Sequence, residues 1–472
     1  MVPCLLLFGS LSSNLISGQP TLKQLHVVTR HGARTPLEKE ADTLMEPGDV
    51  SVLTPLGRKQ LYDLGVWLRN TSNTNDFLDL YQPSLDRLES SNLDRTITSA
   101  NSLSRGLFPL HSQEGGNRAE IFQSLLPEMP SIPVYSRQEQ NDVYLRSYHH
   151  CPTFHDNLQE LYQSVQWTTV ETNYQSILSK VSQVFNLQET VALKDLWSYY
   201  DQIHVAKTEC EHDMDSFACR LLPDPSLATA LTDTEFSSLE KVAERAEEMK
   251  FGRGNAGNLL GSNLLWLILS RAADEGRFFL YSAHAPTILG LLSTIQEWAQ
   301  DDFFVEYGSA IIVEVYQDQS DESRSLKFLY KSSNSDVARP LQLKHANCAI
   351  SSQDYAGHCD MTKFEVWATK NTIVTNEAWC EECGNEVSDV CMAHLLQKNT
   401  LEQEIRESGS EPMVVAGSFM GGFAAALFTM VLCHFCCRLR KTQGVEKDGS
   451  EDTVEQPPIT EMDLVEDLQS LA

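Results

Sequence analysis

Residues 30–36 read Arg-His-Gly-Ala-Arg-Thr-Pro, and this heptapeptide decides the fold of the 472-residue chain. The preceding residues, 22–28, alternate well enough to predict a β-strand that ends at the histidine. Gly32 allows a close approach of the backbone, and Pro36 turns the chain away from the strand. Two guanidiniums beside one imidazole make little sense in a core. They suit a doubly charged tetrahedral anion that the imidazole attacks.

Strand–loop–helix units recur outward from the heptapeptide. Residues 53–57 open a helix in which Thr54 caps the N-terminus and Pro55 takes the first helical position. Arg95 follows a short strand around 85–88 and precedes a helix over 96–107. These units predict an α/β domain, in which a sheet is flanked by helices and binds ligands at the carboxyl ends of its strands.

A second strand end of this kind lies far along the chain. The apolar residues 278–282 predict a buried strand that delivers His284 at its end, before a helix over 287–298. Two more strands, 311–316 and 325–330, read as a hairpin. Between the two halves of the α/β core, about 21–128 and 241–385, residues 129–240 show helical periodicity and predict an inserted, mostly helical cap domain.

The arginines and histidines of these strand ends suit phosphoryl transfer. Arg30, Arg34 and Arg95 offer planar forks that match phosphate oxygens, and His284 offers another hydrogen bond. Neighbouring cations would keep His31 neutral and nucleophilic, so that a phosphohistidine forms and is then cleaved by water. This chemistry requires no metal and no other cofactor, and the sequence contains no plausible metal cluster.

The heptapeptide resembles the RHGxRxP signature of the histidine acid phosphatases. Asp94-Arg95-Thr96 resembles the DRT segment of that family, Ser282-Ala283-His284 its distal SAH, and Cys151-Pro152 the start of part of its cap. The likeness covers about residues 22–385 and is closest to the membrane-anchored prostatic, lysosomal and testicular type. It implies a histidine-phosphatase-like sheet, phosphomonoester substrates, His31 as the nucleophile, and phosphate bound by Arg30, Arg34 and Arg95 together with a second catalytic histidine, His284. Because the family often forms dimers, a second copy of the chain is a candidate partner.

One position departs from the family pattern. An aspartate that protonates the leaving group usually follows the distal histidine, whereas Ala285 stands there, and Pro286 stands where some relatives have a glutamate. Loss of a general acid costs about 10²–10⁴ in rate, so we expect reduced activity. The alternative is a catalytically impaired ectodomain, a pseudophosphatase that binds phosphate. Glu38 is the nearest carboxylate in sequence that could replace the acid, and Glu89 is a second acidic group close to the site.

The ends of the chain predict a type I membrane protein. Residues 1–18 read as a signal peptide, and 413–437 as one transmembrane helix, since a charge-free run of that length crosses about 30 Å of hydrocarbon. Basic residues follow at 438–441, which puts the acidic, disordered tail 438–472 in the cytoplasm. The phosphatase domain, 19–385, and a stalk, 386–412, are then lumenal, in lysosomes or endosomes, or extracellular at the cell surface.

Charge and cysteine content agree with that compartment. The net charge of −29 argues against a nucleic-acid partner. Asn70 begins an N-glycosylation sequon, which fits an exposed helix end. Cys380 and Cys383 could form half a zinc site, but without a second pair they favour disulfides. The cysteines predicted to lie outside the membrane are even in number, which indicates disulfides whose pairing stays open: Cys151, Cys210, Cys219, Cys348, Cys359, Cys380, Cys383 and Cys391.

Overall fold

The computed structural model describes residues 20–36, 51–71, 77–78, 80–108, 132–210, 214, 217–220, 222–252, 256–296, 305–333, 335–345 and 357–408. The predicted signal peptide, transmembrane helix and tail, together with Glu38 and Cys348, lie outside these residues. Within them, no helix is long and apolar enough to cross a bilayer.

One mixed sheet forms the centre of the fold. Its order is β3-β2-β4-β1-β5-β6-β7, with β8 paired to β6. Strands β1 to β4 pair in parallel, whereas β5 and β6 are antiparallel to their neighbours, as expected for the predicted hairpin. The strands are β1 (Thr21–Arg30), β2 (Asp86–Ser90), β3 (Val134–Ser136), β4 (Phe278–Ala283), β5 (Ala310–Gln317), β6 (Arg324–Lys331), β7 (Arg339–Pro340) and β8 (Cys359–Asp360).

Helices cover both faces of this sheet. The α-helices of the described residues are α1 (Pro55–Asn70), α2 (Asp94–Leu107), α3 (Pro152–Tyr162), α4 (Val165–Asn173), α5 (Gln175–Val184), α6 (Leu196–Cys210), α7 (Phe217–Arg220), α8 (Asp233–Phe251), α9 (Ala256–Ala273), α10 (Ala285–Ile295), α11 (Met361–Asn371), α12 (Asn376–Cys383) and α13 (Asp389–Ser408).

Strand β1 shows how the layers arise from the sequence. Successive side chains of a strand point to opposite faces. Leu25 and Val27 accordingly pack in one buried cluster with Leu61 of α1, whereas Val28 packs in another with Leu264 of α9. The α/β architecture predicted from the sequence is confirmed, with the sheet between two layers of helices.

The backbone of the heptapeptide packs directly against the backbone at the start of α1. A Cβ at Gly32 would lie 2.2 Å from the carbonyl oxygen of Gly57, and one at Gly57 would lie 2.0 Å from that of Ala33. Thr54 caps α1 by accepting a hydrogen bond from the Gly57 amide, and its own amide donates to Ala33. Residues 53–57 therefore serve to seat the heptapeptide as well as to begin a helix.

The inserted residues are helical, with bounds that differ from the predicted cap of 129–240. Helices α4 to α6 and α8 bury a cluster of their own that includes Trp167, Tyr200 and Met249. That cluster extends along α8 past residue 240, because α8 is one continuous helix. At the other end, Val134–Ser136 pairs with β2 and belongs to the central sheet.

The residues directly after 385, where the sequence predicts a stalk, continue the compact unit. Cys391 is fully buried and bonded to Cys380, and the compact unit reaches Leu396. The segment from Asp389 is helical, as α13. A disulfide and buried side chains therefore tie the residues that follow 385 to the domain.

Disulfides account for the cysteines that the structure describes. The pairs are Cys151–Cys383, Cys210–Cys219 and Cys380–Cys391, and Cys359 is disulfide-bonded too. Cys380 and Cys383 thus bond to different partners, which excludes the zinc alternative. Asn70 is the last residue of α1 and is exposed, as the sequon requires.

Candidate active site

The five residues predicted to act on phosphate line one cavity of about 340 Å³. Strands β1 and β4 are neighbours in register, with Arg30 opposite Ala283, so the two histidines that follow emerge side by side at their carboxyl ends. Arg95 enters from the first turn of α2. The described residues that line the cavity are Arg30, His31, Arg34, Arg95, Arg146, Tyr148, His149, Phe154, His155, Leu158, Tyr162, Trp197, Glu247, Lys250, Phe251, His284, Ala285 and Pro286.

His31 is held as a neutral imidazole with a defined tautomer. Its Nδ1 lies 2.8 Å from the carbonyl oxygen of Gly32. Because a carbonyl oxygen can only accept, Nδ1 carries the proton and Nε2 keeps its lone pair. Burial lowers the pKa of His31 well below its usual value, and Arg95, Arg34 and Arg30 lower it further. The ring nitrogen that a nucleophile needs is therefore available at acid as well as neutral pH.

His284 lies beside His31, with the two ring centroids 5.4 Å apart. Its Nε2 lies 2.8 Å from the hydroxyl of Ser91, which fixes the orientation of the ring. Burial, followed by the charge of Arg95, holds the pKa of His284 well below its usual value. The helix after His284 begins at Ala285, two residues before the predicted start, because proline is tolerated in a first helical turn.

Arg30 is buried against an aromatic ring that no sequence pattern predicts. Its guanidinium carbon lies 3.9 Å from the ring centroid of Tyr307, and its Nη1 donates to the carbonyl oxygen of Val305. Nε of Arg30 is buried without a hydrogen-bond partner among the described residues. A cation stacked in this way is fixed in orientation while a donor remains for an anion.

Arg34 forms a two-point ion pair with the helical insertion. Its Nη1 and Nη2 lie 3.0 Å and 2.8 Å from the two carboxylate oxygens of Asp201 in α6. Both side chains are almost fully buried, at 4% and 3% exposure. Asp201 and Tyr307 are the contacts that sequence reasoning missed, because neither lies in a motif or next to one.

The start of the insertion adds a further cation. Arg146 lines the cavity at 2% exposure, and its Nη1 lies 2.8 Å from the carboxylate of Glu139. Burial raises the pKa of the neighbouring Tyr148 to about 12, which keeps that phenol neutral. These residues lie just before the Cys151-Pro152 pair, which was the one sequence signal close to them.

The acidic groups near the site are paired. Glu89 forms a two-point ion pair with Arg271, at 2.9 Å and 3.0 Å, and does not line the cavity. Among the described lining residues Glu247 carries the one carboxylate, and Lys250 lies 2.9 Å from it. Ala285 presents a methyl group to the cavity at 8% exposure. Within the part of the chain that the structure describes, no group of three His, Cys, Asp or Glu side chains could hold a metal ion.

Comparisons with known proteins identify the family of the chain. Residues 21–331 match the family model described as the histidine phosphatase superfamily, branch 2. Lysosomal acid phosphatase of Xenopus laevis is 26% identical over 75% of this chain and 82% of its own length. Prostatic acid phosphatase of Rattus norvegicus is 24% identical over 76% of this chain and 92% of its own length. The phytase structure from Citrobacter braakii, 14% identical, covers 77% of this chain and 99% of that chain with a TM-score of 0.54, which shows a shared fold.

Proposed function

Because the chain belongs to branch 2 of the histidine phosphatase superfamily, we propose that it is an acid phosphatase acting on phosphate monoesters through a phosphohistidine. The observation that carries this proposal is the tautomer of His31. Its Nδ1 donates to Gly32, so that Nε2 carries a lone pair in a cavity lined by Arg30, Arg34 and Arg95. A nucleophile poised among fixed cations is what attack on a bound phosphate requires.

The first half of the reaction uses groups that the cavity already holds. The arginines and His284 bind the oxygens of the phosphoryl group and neutralise their charge. Nε2 of His31 forms a bond to phosphorus while the ester P–O bond breaks, and the leaving oxygen keeps the electron pair. Water then attacks the phosphohistidine, the P–N bond breaks, and inorganic phosphate leaves.

The leaving-group side determines which esters react well. An alkoxide needs a proton as it departs, whereas a phenolate leaves as the anion. Ala285 offers no proton, and the carboxylate of Glu247 is bound to Lys250. A missing general acid costs about 10²–10⁴ in rate, so aryl phosphates should react faster than alkyl phosphates by a factor within that range.

The second candidate function is phosphate binding without turnover. Ala285 favours it, because the same substitution that slows alkyl esters could leave the site as a phosphate receptor. The arginines and His284 would then bind an anionic group, and His31 would not be phosphorylated. This candidate predicts retained affinity for phosphate and vanadate with no hydrolysis of either class of ester.

One experiment separates the two candidates. The purified protein is assayed at acid pH on 4-nitrophenyl phosphate and on glycerol phosphate, with His31→Ala as the control. We expect hydrolysis of the aryl ester and loss of that activity in His31→Ala. Full aryl phosphatase activity in His31→Ala would contradict the mechanism, and no turnover by the native protein would favour the binding candidate.

Restoring an acid supplies the matching prediction. Ala285→Asp should raise kcat on glycerol phosphate by about 10²-fold while changing kcat on the aryl ester much less, because only the alkoxide needs the proton. The ratio of the two kcat values is the measurement. Ala285→Asn introduces a side chain of the same shape as aspartate but without an acidic proton. It is the matched control and should leave the ratio unchanged.

We propose further that this domain is lumenal or extracellular, as the names of the lysosomal and prostatic relatives suggest. Its disulfides support an oxidising compartment. Cleavage of residues 1–18, a glycan on Asn70 and an anchor at 413–437 complete this proposal. In sealed vesicles with the cytoplasmic face outward, added protease should digest the tail and spare the domain, and the domain should become sensitive to glycosidase once the membrane is permeabilised.

A further inference from the structure

We propose that Asp201 is a positioning residue, which aims the guanidinium of Arg34 at the phosphoryl group. The inference rests on the proposed function of the cavity in binding phosphate. It concerns a residue of the helical insertion that does not line the cavity itself. Asp201 acts through Arg34 and touches neither the substrate nor the nucleophile.

Arg34 already uses part of its hydrogen-bonding capacity within the protein. A guanidinium has five N–H groups in a rigid, planar fork. Nη1 donates to the carbonyl oxygen of Thr35 at 3.1 Å and to one oxygen of Asp201 at 3.0 Å, and Nη2 donates to the other at 2.8 Å. Three of the five donors are therefore used, and the carboxylate occupies the end of the fork.

Two N–H donors of Arg34 remain after these contacts. They are the Nε–H and one Nη2–H, which point outward from the same edge of the planar guanidinium. Nε is buried without a hydrogen-bond partner among the described residues, and Arg34 lines the cavity. Two parallel donors on one edge match two oxygens of a phosphate. Asp201 thus binds one edge of the fork and leaves the edge that suits phosphate.

Asp201 is itself held in place by the helix that carries it. It lies in α6, and Glu209 lies about two turns further along the same helix. Glu209 accepts a hydrogen bond of 2.7 Å from the hydroxyl of Thr54, the residue that caps α1 and contacts the heptapeptide. Helix α6 is therefore attached to the catalytic half of the fold through both of these carboxylates. The docking of the insertion fixes the orientation of a phosphate-binding guanidinium.

The test compares three single substitutions in the full chain. Asp201→Asn keeps the shape of the side chain, removes its charge and leaves one oxygen for the fork. Glu209→Gln weakens the other attachment of α6 without touching Arg34. Asp233→Asn removes a surface ion pair between α8 and Lys207 of α6, the helix that carries Asp201. Because Asp233 is 97% exposed, this variant controls for the loss of a charge alone.

We expect Asp201→Asn to lower kcat/KM on 4-nitrophenyl phosphate by about 10²-fold, the cost of misplacing a contact by about 1 Å. The inhibition constant of inorganic phosphate should rise in parallel, since phosphate uses the same two donors. Asp201→Glu keeps the charge and should recover part of both losses. Glu209→Gln should have a smaller effect on phosphate affinity, and Asp233→Asn none.

Two outcomes would overturn the inference. One is a lowered melting temperature in Asp201→Asn with unchanged affinity for phosphate, which is the behaviour of a merely structural contact. The other is an equal loss of phosphate affinity in Glu209→Gln, which would assign the effect to loosening of α6. If the native protein proves to have no turnover, calorimetric titration with inorganic phosphate gives the same comparison. Failure of the proposed function is thereby kept apart from failure of this inference.

Discussion

At the scale of single residues, His31 combines what the sequence indicates with what only burial provides. The flanking arginines are visible in the heptapeptide, and they disfavour protonation of the ring. The largest cause of the lowered pKa of His31 is nevertheless its removal from solvent, followed by Arg95, which lies outside the heptapeptide. The acid–base state of this proposed nucleophile is thus a property of the assembled cavity.

This state leads to a prediction for the pH profile. Because the folded-state pKa of His31 is lowered, the ring remains neutral as the pH falls from 7 through 6.5, and protonation begins only well below that value. The fall of kcat/KM for an aryl phosphate on the acid side should therefore lie well below pH 6.5. An acid limb centred near pH 6.5 in the native protein, assigned to His31 by NMR, would contradict the expectation.

Substitution of Arg95 should shift the acid limb of the pH profile in a defined direction. Arg95→Gln removes the second-largest cause of the shift, so the protonated ring is disfavoured less and the acid limb should move to higher pH. The two pH profiles are compared in shape, because loss of a proposed phosphate ligand should lower activity at every pH. Arg105→Gln, exposed on the same helix, is the control and should leave the limb in place.

At the scale of elements, α1 and α2 pack at a contact that only glycine allows. A Cβ at Gly65 of α1 would lie 2.2 Å from the carbonyl oxygen of Leu103, and one at Gly106 of α2 would lie 2.1 Å from that of Tyr62. These two helices cover one face of β1, and Arg95 lies in the first turn of α2. Their close packing therefore helps to set where Arg95 meets the heptapeptide.

We predict that Gly106→Ala destabilises the fold despite its better helix propensity. Alanine gains about 1 kcal/mol over glycine in a helix. The clash is with backbone, which cannot turn aside, and overpacking costs about 1–3 kcal/mol or more. The free energy of unfolding in urea should fall. Arg105→Ala at the exposed neighbouring position should change it by a few tenths of a kcal/mol, and an increase for Gly106→Ala would refute the packing argument.

At the scale of the whole molecule, disulfides join parts of the chain that are remote in sequence. Cys151 at the start of the insertion bonds to Cys383 at the end of α12, across 232 positions. Cys380 of the same helix bonds to Cys391, which brings the following segment into the domain. The C-terminal helices thus connect the insertion, the core and the segment that precedes the predicted anchor.

The long-range bond gives a prediction for stability. Replacing Cys151 and Cys383 by serine should lower the free energy of unfolding by about 2–5 kcal/mol, because the unfolded chain gains the freedom that the closed loop had removed. The Cys210 and Cys219 pair, 9 positions apart, closes a much shorter loop and should cost less by the same reasoning. Melting temperatures of the two double variants give the comparison, and an equal or reversed order would contradict the chain-entropy account.

The sequence predicted those parts of the candidate site that depend on local patterns, and it did not predict those that depend on residues far apart along the chain. The strand ends, the cap at Thr54 and the convergence of His31, Arg95 and His284 follow from local patterns and from the parallel pairing of strands. The helix bounds differ from the predicted ones by a few residues, and α8 and the Cys380–Cys391 bond cross the expected ends of the cap and of the domain. No local pattern marks such a crossing.

The proposed class of chemistry can be read from the sequence alone, since an imidazole between arginines at a strand end indicates an anion site and a nucleophile within seven residues. The sequence also determined that the usual acid is absent at Ala285. Only the tertiary structure decided the tautomer of His31, the stacking of Tyr307 on Arg30 and the pairing of Arg34 with Asp201. The tautomer depends on how the folded backbone presents the carbonyl of Gly32, and the other two contacts join residues that are far apart along the chain. Arg34 and Asp201 are 167 positions apart, and a contact of that kind leaves no periodicity or motif until the chain has folded.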